Sequence, residues 1–219
     1  MTASLEVNQE PSLDSYIILP ETKYHPDILV SQARTHQYKD WYQTHKALHQ
    51  EHSFMLQPKE FIDFTLRLEL ERRLYDGNGK LINPNLRNSL LDDILAKREP
   101  DRAEWLDARF LEVDGMMYML SNHRTVGEDL IHLRAEPFGR DINQSCYVDL
   151  SNFNRQGLPI KRSRNQEYKQ GRNIYFCPPV IDSVAGSIAG SGGVRLGCLW
   201  IPLCSGAGLG VRQAKFREK

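Results

Sequence analysis

The chain has 219 residues, 40% hydrophobic and 26% charged, with 28 basic against 28 acidic side chains. That is the make-up of a folded protein with a sizeable core in one or two domains. Zero formal charge and a pI near 7.1 exclude strong non-specific attraction to nucleic acid or anionic lipid. The opening residues lack a basic start and a long apolar run, so neither a signal peptide nor a membrane helix is expected. The most apolar C-terminal stretch is broken by Gly and Pro and is too short to span a bilayer, so no membrane insertion is expected.

Residues 1–14 read as a flexible polar leader and residues 15–219 as one domain. Tyr16-Ile17-Ile18-Leu19 predicts a short strand, stopped by Pro20. Pro26 opens a predicted helix running to about Glu51, with Leu29, Val30, Ala33, Tyr38, Trp41 and Leu48 as a rough apolar stripe. Gln57-Pro58 opens a second helix that ends at Tyr75-Asp76-Gly77. Phe64, Leu66, Leu68 and Leu70 also alternate as in a strand, but length and richness in Glu, Arg and Leu favour helix. Asn83-Pro84 starts a third, with Leu86, Leu90, Leu91, Ile94 and Leu95 on one face. After Pro100 the texture changes. Phe110-Leu111-Glu112-Val113 and Met116-Met117-Tyr118-Met119-Leu120 flank Asp114-Gly115, a two-residue hairpin signal. Asn173-Ile174-Tyr175-Phe176-Cys177 predicts another strand, and about 209–216 a charged terminal one. Helices first, then strands with long loops, indicate an α+β fold rather than a repeating βαβ one.

His45, His49 and His52 recur at helical spacing, so one face can offer three imidazoles to a metal. No fourth ligand or anchoring carboxylate accompanies them, and Lys46, Gln50 and Glu51 surround them. An exposed polar face is the expectation, with no metal and no cofactor. Asp76-Gly77-Asn78-Gly79-Lys80 is similar to the start of a calcium loop, but its twelfth position is Arg87, which cannot coordinate a cation. A helix-ending glycine turn explains it better. The glycines at 190, 192, 193, 206, 208 and 210 come without Gly-Lys-Ser/Thr or GxGxxG, so no phosphate cradle is expected. The basic run from Lys161 to Arg172 includes Glu167 and reads as a solvated loop, with no nucleic-acid partner. Cys146, Cys177, Cys198 and Cys204 form no CxxC pair, which argues against structural zinc and leaves a disulfide open. No catalytic triad or carboxylate pair is legible, and an enzyme whose groups meet only in the fold stays open.

The window from Ser183 to Val211 holds no Asp, Glu, Lys, His, Asn, Gln or Thr, and Arg195 is its only charge. It is too rich in Leu, Ile, Cys and Trp anchors for a flexible linker. Ser183-Val184-Ala185, then Leu196, Cys198, Pro202, Ser205, and Leu209-Gly210-Val211-Arg212 before Ala214-Lys215 form a framework. On these residues the window resembles the variable region of a diversity-generating retroelement target protein of the archaeal type. The positions between them look arbitrary: Ile188, Gly190, Gly192, Arg195, Gly197, Leu199, Trp200, Ile201, Leu203, Cys204, Gly206 and Ala207. In such systems adenines of a template are copied with error. Asn codons ending in a pyrimidine then give Gly, Ser, Ala, Val, Ile, Leu, Cys or Arg, but not Lys, Glu, Gln, Met or Trp. The window lacks the first four of these. Trp200 departs from the rule and needs a different template codon, such as one for Arg or Lys. Trp105-Leu106-Asp107-Ala108 and Gly157-Leu158-Pro159 carry the likeness upstream, less specifically.

The resemblance implies a C-type lectin fold and a ligand-binding protein without catalytic activity. Its partner is expected to be a protein or surface molecule of another cell or virus, reached by display through a partner. The arbitrary positions are then the ligand-binding residues and must be exposed, while the framework is buried. Surface changes usually cost roughly half a kcal/mol or less, and core truncations about 2–5 kcal/mol. Leu199, Trp200, Ile201 and Leu203 are expected to form an exposed apolar patch. A second reading is an enzyme on a formylglycine-generating type of lectin-like scaffold, using Cys198 and Cys204; a third is a structural module of a virion or cell surface.

Overall fold

A computed structural model describes residues 12–138 and 142–218. In chain order its strands are β1 (Tyr16–Leu19), β2 (Ile28–Ser31), β3 (Phe54–Met55), β4 (Arg102–Val113), β5 (Met116–Val126), β6 (Asp129–Pro137), β7 (Cys146–Asp149), β8 (Asn173–Cys177), β9 (Ser183–Gly190), β10 (Gly193–Trp200), β11 (Leu209–Gly210) and β12 (Gln213–Phe216). Three helices, α1 (Trp41–Gln50), α2 (Pro58–Leu70) and α3 (Pro84–Leu95), precede β4. The small sheet has the order β1-β2-β12-β3, and the large one β6-β5-β4-β9-β10-β8-β7, with β11 pairing parallel to β4. The fold is α+β.

The helix expected from Pro26 to Glu51 is corrected. Its first part is β2, because Ile28, Leu29 and Val30 are all buried, and a surface helix cannot bury three consecutive side chains. β2 instead lies between β1 and β12. Helix begins only at Trp41, where Asp40 accepts the Gln43 amide at 2.7 Å and the Gln43 side chain accepts the Asp40 amide at 3.2 Å. The second helix stops at Leu70, short of Tyr75-Asp76-Gly77. Leu74 turns into the core, and Asp76 Oδ1 accepts the Asn78 and Lys80 amides in a turn that ends no helix. α3 begins at Pro84 as expected, with the Asn83 side chain accepting the Leu86 amide. The Asp114-Gly115 turn joins β4 to β5, and both strands run further from it than their apolar ends suggested. Strands are therefore not confined to the second half: β1, β2 and β3 come from the first 55 residues, and β2 and β3 pair with β12 at the end of the chain while β1 pairs with β2. The terminal strand is split into β11 and β12. Of the expected leader, residues 1–11 lie outside the described residues, while Leu13–Ser15 form a 3-10 turn.

Alternation along β9 and β10 divides the core. Ala185, Ala189, Val194, Leu196 and Cys198 pack with Phe61, Phe64 and Leu68 of α2 and Leu90, Ile94 and Leu95 of α3. Val184, on the opposite face of the sheet, joins Trp41 and Leu48 of α1 with Trp105, Leu209 and Val211. The four cysteines are unpaired. Among the described residues, no helix is long and apolar enough to cross a membrane.

Candidate functional site

β9 lies between β4 and β10, so its backbone is bonded on both sides. β10 returns antiparallel to it after Ser191-Gly192. Gly193 allows this return: its φ is +114°, and a side chain there would strike the Tyr168 ring at 2.3 Å. Along β10, Val194, Leu196 and Cys198 are buried while Arg195 and Leu199 are exposed.

Of the framework residues, all are buried except Ser205, which is exposed, and Lys215, which is half-buried. Among the arbitrary positions, Gly192, Arg195, Leu199, Ile201, Leu203 and Ala207 are exposed, and Ile188, Trp200, Cys204 and Gly206 half-buried. Gly190 and Gly197 are buried, which corrects the expectation for both. A Cβ on Gly190 would lie 2.6 Å from Asp101 Oδ1. Gly197 pairs with Gly186 across the strands, and the Trp200 indole lies over both, its Nε1 2.8 Å from where a Gly197 Cβ would stand. Trp200 is therefore not part of an open patch. Its ring meets Trp105 edge to face, with centroids 5.8 Å apart. Leu199, Ile201 and Leu203 do form exposed apolar surface, Ile201 and Leu203 at 65% and 69% exposure.

The loop after β10 is held by its main chain. The Trp41 amide donates to Pro202 O, the Tyr38 amide to Gly206 O and the Ala103 amide to Gly208 O. Arg34 Nη1 donates to Gly208 O at 2.8 Å. Val211 and Thr35 exchange amide bonds. None of these bonds uses a side chain of the loop. Tyr38, 70% exposed and in the left-handed region at φ +63°, stands beside the loop; sequence reasoning placed it inside a helix and missed it.

Cys198 carries no nucleophile signature. Cys198 is fully buried in the large core, and burial pushes its thiol far above the usual range, the reverse of an activated thiolate.

A second constellation lies on the other side of α1. His45 is buried, not exposed as expected; only His49 and His52 keep the polar face. His45 meets Asp107 of β4 and His123 of β5, and one ligand atom from each lies within 4.8 Å of the other two. Asp107 Oδ1 is hydrogen-bonded to His123 Nδ1 and lies 3.7 Å from His45 Nε2; its Oδ2 accepts the His123 amide. The Trp41 ring touches both imidazoles edge-on, at 4.3 and 4.9 Å. Burial pushes His45 down to about 4, so it is neutral at physiological pH. Burial alone would raise Asp107, but the hydrogen bond from His123 and the nearby imidazoles hold it below its ordinary value. His45 Nε2 is buried without a hydrogen-bond partner, at a typical cost of about 1–3 kcal/mol. These residues, with His25, Glu60, Arg124 and Arg134, line a cavity of about 440 Å³ that opens past His49 and His52.

Burial raises the Glu60 carboxyl from 4.5 to about 8, partly offset by the Gln57 amide it accepts at 2.8 Å, with Asp107 and Asp63 adding to the rise. Because the folded value is the higher one, the contribution of Glu60 to stability is fully present below pH 4.5 and is lost as pH rises toward 8. Glu60→Gln is expected to flatten that fall and to raise stability by a few kcal/mol at the alkaline end. Urea midpoints measured across this window check it.

Comparison of the chain with protein-family models, with curated proteins and with solved structures finds no match.

Proposed function

We propose that the chain is a diversified ligand-binding protein on a C-type lectin-like scaffold. Adenine-directed retroelement mutagenesis rewrites the window from Ser183 to Val211. Leu199, Ile201 and Leu203, with Arg195 and the rim formed by Trp200, Cys204 and Ala207, then meet a protein or surface molecule of another cell or virus. The observation that carries this reading is the anchoring of the 201–208 loop through main-chain bonds. A backbone held this way keeps its path whatever side chains it bears, which a surface open to random replacement requires. The burial of nearly the whole framework also supports it. The exposed Leu199, Ile201 and Leu203 provide apolar area of the kind that partners cover.

Two measurements test the proposal. Serine or asparagine at Leu199, Ile201 and Leu203 is expected to change unfolding free energy by less than about 0.5 kcal/mol each. Leu196→Ala is expected to cost about 2–5 kcal/mol. Equal losses in both sets defeat the separation of scaffold from binding face. Sequencing of the native locus is expected to show a near-copy of the window's coding segment beside a reverse-transcriptase gene, differing at adenines. A complete locus without that copy ends the retroelement reading.

A further inference from the structure

The buried wall of the cavity beside α1 is a separate matter from the diversified face. We propose that His45, Asp107 and His123 bind one divalent transition-metal ion of the zinc class, with the remaining coordination open to the cavity. Two imidazoles and one carboxylate are a donor set that such ions take. The three come from different elements, α1, β4 and β5, yet present their ligand atoms within 4.8 Å of one another. Pairing of Asp107 with His123 accounts for two of the residues and leaves the third unexplained. His45 is buried, its Nε2 has no hydrogen-bond partner, and it points toward the Asp107 carboxylate at 3.7 Å. Ligands of a tetrahedral ion with bonds of about 2.0–2.1 Å stand about 3.3 Å apart. His45 therefore has only a few tenths of an ångström to close on Asp107, while His123 moves off its hydrogen bond to Asp107 and the ligand atoms, now within 4.8 Å of one another, draw in around the ion that replaces that bond.

The surroundings suit a bound ion. The amide of His123 donates to Asp107 Oδ2, which leaves Oδ1 facing both imidazoles. The packed edges of Trp41 fix the two rings. Such supporting contacts are what orient metal ligands. The cavity supplies an entry path from solvent, with His49 and His52 at its exposed rim. Those two histidines are the natural decoys, because they sit on the same helix and their spacing with His45 already invited a metal reading.

The test uses the full chain, stripped with a chelator and then titrated with Zn²⁺ alone, followed by Co²⁺ as a spectroscopic probe. One equivalent of Zn²⁺ is expected to bind, and Co²⁺ to give visible absorption bands of low coordination number. X-ray absorption of the zinc form is expected to show two imidazoles at about 2.0–2.1 Å. His45→Gln and Asp107→Asn are each expected to weaken binding more than about tenfold, losing at least what a supporting contact contributes. The double change His49→Ala with His52→Ala is expected to leave binding unchanged. The proposal is overturned by the absence of stoichiometric binding. It is overturned equally by loss of binding in the rim variant alone, or by an absorption spectrum without two imidazoles, a reading of the unmodified chain that does not depend on any variant folding.

Discussion

Replacing Arg212 by methionine lowers the unfolding free energy by about 3–5 kcal/mol, as removal of one member of a buried ion pair does. Arg212 is 1% exposed and grips Glu104 of β4 through two nitrogens, at 2.9 and 3.3 Å. It also reaches Asp93 of α3 at 2.8 Å, Ser31 O at 3.1 Å and the Gln32 carbonyl. One guanidinium thus ties the central strands of the small sheet to the large sheet and to a helix. The cost comes from the stranded Glu104 charge, so adding Glu104→Gln to the same chain is expected to recover part of it. Urea unfolding of the two single variants and the double one reads both effects. A single-variant loss below about 1 kcal/mol, the range of an exposed pair, shows that water has replaced the guanidinium.

Trp41→Ala is expected to cost about 3–5 kcal/mol. The ring is fully buried in the second cluster with Leu48, Trp105 and Val211, and its Nε1 donates to Leu106 O at 3.0 Å. Truncation leaves a cavity and an unpaired carbonyl together. The residue also sits at a crossroads: its amide holds Pro202 O in the loop, while its ring braces His45 and His123. Amide exchange in the 201–206 segment is therefore expected to quicken in Trp41→Ala. Trp41→Phe, which keeps most of the ring volume, is expected to lose less. Equal losses in both variants point to the indole hydrogen bond, not the packing, as the main contribution.

Local signals gave the parts of the fold that depend on them. The capping of α3 by Asn83 and the Asp114-Gly115 turn both follow from rules spanning a few residues. Ile28-Leu29-Val30 was misread because Pro26 supplied a helix start, while the deciding fact, pairing with Ala214 to Phe216, lies at the far end of the chain. The interleaving of exposed and buried positions on β10 was legible as alternation, apart from Gly197. Its burial depends on a neighbour, Trp200, folding back over it. The histidine constellation was half visible. His45 stood out by spacing with His49 and His52, yet that spacing named the wrong companions. The right ones do not follow from counting along the hairpin: the regular pairing of Val113 with Met116 ends at Arg109 with Leu120 and, continued, would set Asp107 opposite Asn122, but Asn122 takes the left-handed region at φ +57° and it is His123 that meets Asp107. A lone Asp in the apolar run Trp105-Leu106-Asp107-Ala108 was the available sign.

The place of β12 has a consequence for how the chain is made. β12 fills the slot between β2 and β3, pairing Ala214 with Val30 on one side and with Phe54 on the other. β2 and β3 therefore wait for a strand made more than 150 residues later. A stop codon or frameshift anywhere from Ser183 to Val211 removes β12 and the Arg212 clamp together, and leaves β2 and β3 without the strand that joins them. Reading through the window in frame becomes a condition of completing the small sheet, so its first strands depend on a segment encoded beyond everything from Ser183 to Val211.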